Sequence, residues 1–233
     1  MLTLCVTLDV ESTYTQKFQV FLEKNMTLCY NETIGTFVQN SVRSEQAMKI
    51  YTIIGGVNGV GKSSLSGVLS AENTDLGIII DTDKITAETG GDRIKGGRIA
   101  IERIENSLDK GINFTQETTL SGVRTLKTIR KARELNYFIR LYYVGVSSSA
   151  ESISRIKNRV SKGGHNIPSE DVERRYNKRF EDLAKILPYC DEAVFFDNEN
   201  GFVEKAEYKN GSLITKGGKI PDWINELNEY LDK

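Results

Sequence analysis

Residues 55–64 read GGVNGVGKSS, and this stretch decides how the rest of the chain is read. From Gly56 to Ser63 the spacing is G-x-x-x-x-G-K-S, the pattern of a phosphate-cradling loop. Glycines let the backbone turn with its N–H groups inward, so the loop Gly56, Val57, Asn58, Gly59, Val60, Gly61 is expected to grip phosphate oxygens. Lys62 then reaches the outer phosphates, the Ser63 hydroxyl is placed to ligate Mg²⁺, and Ser64 completes the loop. The flanks agree. KIYTII before the loop is a β-branched and aromatic run, and Leu65 and Leu69 after it have helical spacing. A helix N-terminus is where phosphate charge is best accommodated.

Working outward, strands and helices alternate, which points to an α/β fold of the P-loop NTPase type: a parallel sheet flanked by helices. Strands are expected at 51–55, 77–81, 113–116, 137–146 and 192–196, and helices at 62–70, 97–110, 122–135, 150–161 and 168–187. GIIID and AVFF are continuous apolar runs, as required of strands covered on both faces. Beyond the last of these, Asn210-Gly211 between alternating residues predicts a C-terminal hairpin, and Pro221-Asp222-Trp223 opens a terminal helix.

Residues 1–47 differ from this pattern. Their basic residues are Lys17, Lys24 and Arg43, their one glycine is Gly35, and a short amphipathic helix is expected over 14–24. The phosphate-loop domain is expected to span 48–233, with 1–47 a dispensable N-terminal extension. At 233 residues the chain can bury one substantial core. A formal charge of −1 gives no bias toward nucleic acid or membrane. No stretch approaches the roughly 20 apolar residues needed to span a bilayer. Cys5, Cys29 and Cys190, at unrelated spacings, suit reduced thiols, so a cytoplasmic protein is expected.

In such sheets ligands bind at the carboxyl ends of the strands. Two acidic groups are expected there: Asp81-Thr82-Asp83 and Glu117, the latter followed by Thr118 and Thr119. Asp83 has the place of a general base, taking a proton from an attacking hydroxyl. Glu117, Thr118 and Thr119 suit hydrogen bonds to a polyhydroxylated acceptor, whereas Asp81 is expected to cap the following turn. Between Glu151 and Arg179 lie Arg155, Lys157, Arg159, Lys162, Arg174, Arg175, Lys178 and Arg179, on two helices broken by Gly163-Gly164 and Pro168. A hinged basic arm over a phosphate site suggests stabilisation of transition-state charge, with Arg159 and Arg175 the leading candidates. His165 is expected to order the arm's loop.

Together, GGVNGVGKSS, IIIDTD, FTQETTLSG, LYYVG, RIKNRVSKGGHNIPSEDVERRY and FFDN resemble the zeta-toxin-type phosphate-loop kinases, in particular their bacterial chromosomal branch. The resemblance runs from about Met48 to about Asn198. It implies an ATP- and Mg²⁺-dependent kinase acting on the sugar nucleotide UDP-N-acetylglucosamine, and an antitoxin protein as partner. It places Lys62 and Ser63 on ATP and Mg²⁺, Asp83 on the sugar hydroxyl, Glu117 with Thr118 or Thr119 on the amino sugar, and Arg159 and Arg175 on phosphates. Glu-Thr-Thr stands where the best-known plasmid members have Glu-Gly-Thr. Two other classes compete: a nucleotide-hydrolysing switch or transport ATPase, and a nucleic-acid-end kinase. Asn177-Lys178-Arg179-Phe180 lacks the acid a guanine-reading N-K-x-D needs, and Leu120-Ser121-Gly122 lacks the remainder of a transporter motif.

Overall fold

The computed structural model describes residues 48–232, so the helix expected over 14–24 lies outside the described residues. Five strands run parallel: β1 (Ile50–Gly55), β2 (Ile78–Asp81), β3 (Phe114–Thr118), β4 (Phe138–Gly145) and β5 (Glu192–Asp197). The hairpin β6 (Val203–Lys209) and β7 (Ser212–Thr215) adds antiparallel at one edge, turning at Asn210-Gly211 as expected. The order across the sheet is β2-β3-β1-β4-β5-β6-β7. Gly55 pairs with Thr118 on one side and Tyr143 on the other, and Asp81 pairs with Glu117. The carboxyl ends of β1, β2 and β3 are therefore level, and everything that leaves them emerges along one edge.

Among the described residues eight helices surround the sheet: α1 (Lys62–Ala71), α2 (Thr82–Glu88), α3 (Arg93–Lys110), α4 (Arg124–Glu134), α5 (Ser149–Ser161), α6 (Ser169–Asn177), α7 (Arg179–Ala184) and α8 (Asp222–Leu231). Every residue of β1 is buried, because its two faces supply two different cores. On one face Tyr51, Ile53, Ile139 and Phe195 meet Ile104, Leu108, Ile129, Leu183 and Leu227. On the other, Ile54 and Val144 meet Leu65 and Leu69 of α1. Each such side chain contributes roughly 1.5–3 kcal/mol by leaving water. Tyr51 and Phe114 stack with ring centroids 4.5 Å apart. Trp223 of α8 lies flat against Gly145, where a Cβ would come within 2.5 Å of the indole, and its Nε1 donates to Asp197 Oδ1 over 2.8 Å.

The architecture matches the expected class, with four local differences. The helix α2 was not expected; Asp81 nucleates it by accepting from the N–H groups of Asp83 and Lys84, a side-chain cap on its first turn. The helix α3 begins at Arg93, capped by Asp92, rather than at 97. Gly96 inside it allows close contact with α2, since a Cβ there would meet Thr86 Oγ1 at 2.3 Å. The helix expected over 168–187 breaks at Lys178 into α6 and α7 and ends in a 3₁₀ turn, Leu187–Tyr189. Finally, β3 runs on to Thr118, which puts Glu117 inside a strand.

Candidate active site

The loop between β1 and α1 is shaped by close approaches that exclude side chains. Gly56, at φ 141°, and Gly59, at φ 84°, would each drive a Cβ to within 2.4–2.5 Å of a carbonyl oxygen, of Val144 and Ser152 respectively. Val57 and Val60 point down into the apolar cluster beneath α1 and anchor the turn. The Lys62 ammonium folds back onto its own loop, donating to the carbonyls of Gly56 (2.9 Å) and Val57 (3.0 Å). Burial of the ammonium lowers its pKa to about 8, against the opposing pull of Glu117, Asp83 and Asp81.

At the level strand ends, Ser63 Oγ donates to Glu117 Oε2 over 2.7 Å and lies 3.4 Å from Asp81 Oδ2. Ser66, one helical turn after Lys62, donates to Glu117 Oε1 over 2.6 Å. Glu117 is 8% exposed, and its carboxylate is bonded by these two hydroxyls and faces the Lys62 ammonium. Each carboxylate oxygen keeps a further lone pair, and the acceptor contact expected of Glu117 is stereochemically open beside its tie to Ser63. Asp81 caps α2 with one oxygen, as expected, and turns the other toward Ser63, which was not. Two carboxylates and a hydroxyl form a hard-oxygen set that fits Mg²⁺, an ion commonly held by one or two carboxylates together with substrate phosphates. Among the described residues no group of three or more His, Cys, Asp or Glu could hold a metal by itself.

Asp83, in the first turn of α2, lines a cleft of about 730 Å³ together with Lys62, Ser63, Ser64, Glu117, Thr118, Thr119, Arg159 and Arg175. The acids, threonines and arginines singled out in the sequence are thus brought together around one space with the second half of the phosphate loop, while Gly56, Val57 and Val60 lie outside its lining. Thr118 Oγ1 accepts from the N–H of Leu120, and Thr119 Oγ1 lies 2.8 Å from Ser121 Oγ. Leu120 follows with φ 63°, a left-handed conformation unusual for leucine, and its buried side chain packs on Gly55.

The arm is α5, its connecting loop and α6. Arg159 donates to the carbonyl of His165 over 2.8 Å, and the His165 ring stands 3.3 Å from Arg93. Arg175 reaches across to the phosphate loop and bonds Asn58. Arg155, Arg174 and Arg179 are paired instead, with Glu151, Asp171 and Glu226. Sequence reasoning missed Ser66, Asn58 as a side chain, and Arg93. Ser66 is two helical residues past Ser64, and no spacing rule marks it as the partner of an acid on another strand.

No family model matches the chain. An uncharacterized protein of Haemophilus influenzae is 33% identical over 126 residues, which cover 52% of this chain and 88% of that protein. The chain belongs to that protein's family. Beyond the family, a structure of the PezAT chromosomal toxin-antitoxin system of Streptococcus pneumoniae is similar over 95% of this chain and 97% of that one, with TM-score 0.56 and 13% identity. A structure of AvrRxo1-ORF1:-ORF2 with ATP is similar over 82% of this chain and 66% of that one, with TM-score 0.54 and 16% identity. These likenesses establish the fold, which is the one expected from the motif resemblance to zeta-toxin-type kinases.

Proposed function

We propose that the chain is an ATP-dependent kinase that phosphorylates a hydroxyl of a sugar nucleotide, UDP-N-acetylglucosamine, as the toxin of a toxin–antitoxin pair acting in the cytoplasm. The observation that carries this reading is the convergence of Lys62, Asp83 and Arg175 on one cleft. A nucleotide hydrolase needs the loop and its metal; a kinase also needs a base for an acceptor hydroxyl, and Asp83, which lines the cleft, is the candidate for that role. The likeness to an ATP-bound structure and to a toxin–antitoxin structure supports the reading.

In this mechanism the loop N–H groups and Lys62 hold the β- and γ-phosphates, and Lys62 gives up its bonds to Gly56 and Val57 to do so. Ser63, with Asp81 and Glu117, would hold Mg²⁺, which supplies charge neutralisation at the phosphates when bound. Asp83 takes the proton of the acceptor hydroxyl as its oxygen attacks the γ-phosphorus and the bond to ADP breaks. Arg159 and Arg175 offset the charge on the transferring group, and Thr118 and Thr119 hydrogen-bond the acceptor. The nucleic-acid-end alternative loses support because Arg155, Arg174 and Arg179 of the arm are already paired with carboxylates. Measuring ATP turnover against UDP-sugars, nucleosides and 5′-hydroxyl oligonucleotides tests the proposal. Turnover stimulated by UDP-N-acetylglucosamine is expected, and stimulation by oligonucleotides alone would reject it.

A further inference from the structure

We propose that Asn58, inside the phosphate loop, is a positioning residue that fixes the Arg175 guanidinium for phosphoryl transfer; the inference rests on the kinase reading above. Asn58 is 5% exposed, and the polar partner its side chain finds is Nη1 of Arg175, 117 residues along the chain. The loop does not need this bond to keep its shape. Val57 and Val60 anchor it in the apolar cluster, Gly59 is pressed against Ser152, and the Asn198 side chain donates to the Val60 carbonyl over 2.8 Å.

The chemistry of the partner is informative. Arg155, Arg174 and Arg179 of the arm meet carboxylates, which compensate their charge, while Arg159 meets the backbone carbonyl of His165. Arg175 meets a neutral carboxamide, which orients the planar fork without cancelling its charge. A carboxylate in the same place would repel the phosphates that the loop exists to bind. The Arg175 Nε–H is buried and has no hydrogen-bond partner among the described residues, so one donor of the oriented fork stands unsatisfied. A buried donor without an acceptor costs free energy, and the fold bears that cost while Asn58 holds the guanidinium in this orientation. Asn58, Asp83 and Arg175 also line a smaller cavity of about 210 Å³ beside the main cleft. This volume lies below the range of about 300–1,000 Å³ of whole-ligand pockets, so it suits one end of a substrate. The oriented cation and the base therefore border the same small space.

The test is a cycle of Asn58→Ala, Arg175→Ala and the double variant, with ATP and UDP-N-acetylglucosamine as substrates and acceptor-independent ATP hydrolysis as a second activity. Asn58→Ala is expected to lower kcat about tenfold and to leave the KM for ATP within about threefold. In the Arg175→Ala background it should lower kcat no further, because the group it positions is gone. A readout without nucleotide accompanies these: the Arg175 Nε–H signal in nuclear magnetic resonance should exchange with solvent about tenfold faster in Asn58→Ala. If Asn58→Ala does not fold, Asn58→Ser, whose hydroxyl is too short to reach Arg175, takes its place. Equal losses of kcat in both backgrounds, or a raised KM for ATP with kcat intact, would overturn the proposal and leave the kinase reading standing. An unaltered protein that turns over no ATP would overturn both.

Discussion

Raising the pH through the lowered pKa of Lys62 should weaken ATP binding, by about the amount that a pKa near 8 implies. The ammonium sits against two carbonyls in a buried turn, and burial lowers its pKa to about 8. Phosphates select the protonated form, so the free protein must hold or acquire that proton to bind. At a pKa of about 8, roughly nine-tenths of the molecules carry the proton at pH 7 and roughly one-tenth at pH 9, a tenfold loss of affinity or about 1.4 kcal/mol. Stability moves the other way. An unfolded Lys62 keeps its proton up to its ordinary value of 10.5. Between about 8 and 10.5 the unfolded chain binds the extra proton, and this group's contribution to stability rises with pH. Calorimetric titration of ATP at constant ionic strength from pH 7 to 9, beside thermal unfolding, separates the two effects. Lys62→Arg supplies the control, because a guanidinium stays charged throughout and should flatten the profile. An ATP affinity that is constant within about twofold over this range, in a folded protein, would refute the reasoning.

Asp83→Asn should keep ATP affinity within about threefold while transfer to the acceptor falls about 10²–10⁴-fold, as for loss of a general base; full transfer in this variant would remove the mechanism. Glu117→Gln should raise the half-saturating Mg²⁺ concentration about 10–100-fold, since Ser63 loses its charged partner, and a Mg²⁺ titration of ATP turnover checks it. Gly145→Ala should destabilise the fold by about 1–3 kcal/mol through overpacking against Trp223, read by urea unfolding; a neutral result would mean that α8 shifts freely. A chain starting at Met48 should fold and retain turnover; an insoluble product would show that 1–47 are part of the folding unit, and a sharp rise in activity would mark them as an inhibitory cover.

Much of this was legible in the residues because it depends on local pattern. The loop and the strand before it follow from GGVNGVGKSS and KIYTII, and the buried strands follow from runs such as GIIID. The hairpin follows from Asn210-Gly211. The helix α2 escaped because its start depends on Asp81 turning a carboxylate onto its own backbone, while the Gly90-Gly91 pair beyond it reads as loop. The start of α3 escaped because Gly96 and Gly97 argue against a helix, and the gain from packing Gly96 on Thr86 appears only in three dimensions. In the site, the acids and arginines were identifiable by type and order. Their partners were not. Glu117 with Ser66 and Arg175 with Asn58 are separated by 51 and 117 residues, and a carboxamide beside a glycine reads as a turn residue.

The chain carries one tryptophan, and the fold places it in an unusually useful position. Trp223 is 1% exposed, bonded through its indole N–H to Asp197, and Asp197 is followed by Asn198, whose side chain holds the Val60 carbonyl. The indole is therefore a built-in fluorophore wired by two short steps to the phosphate loop. Its emission should report both the docking of the last helix and the state of the loop without any label. A quenching change on adding ATP would then give a direct binding signal, and hydrogen exchange at the indole N–H would time how often the seam between the last helix and the sheet opens.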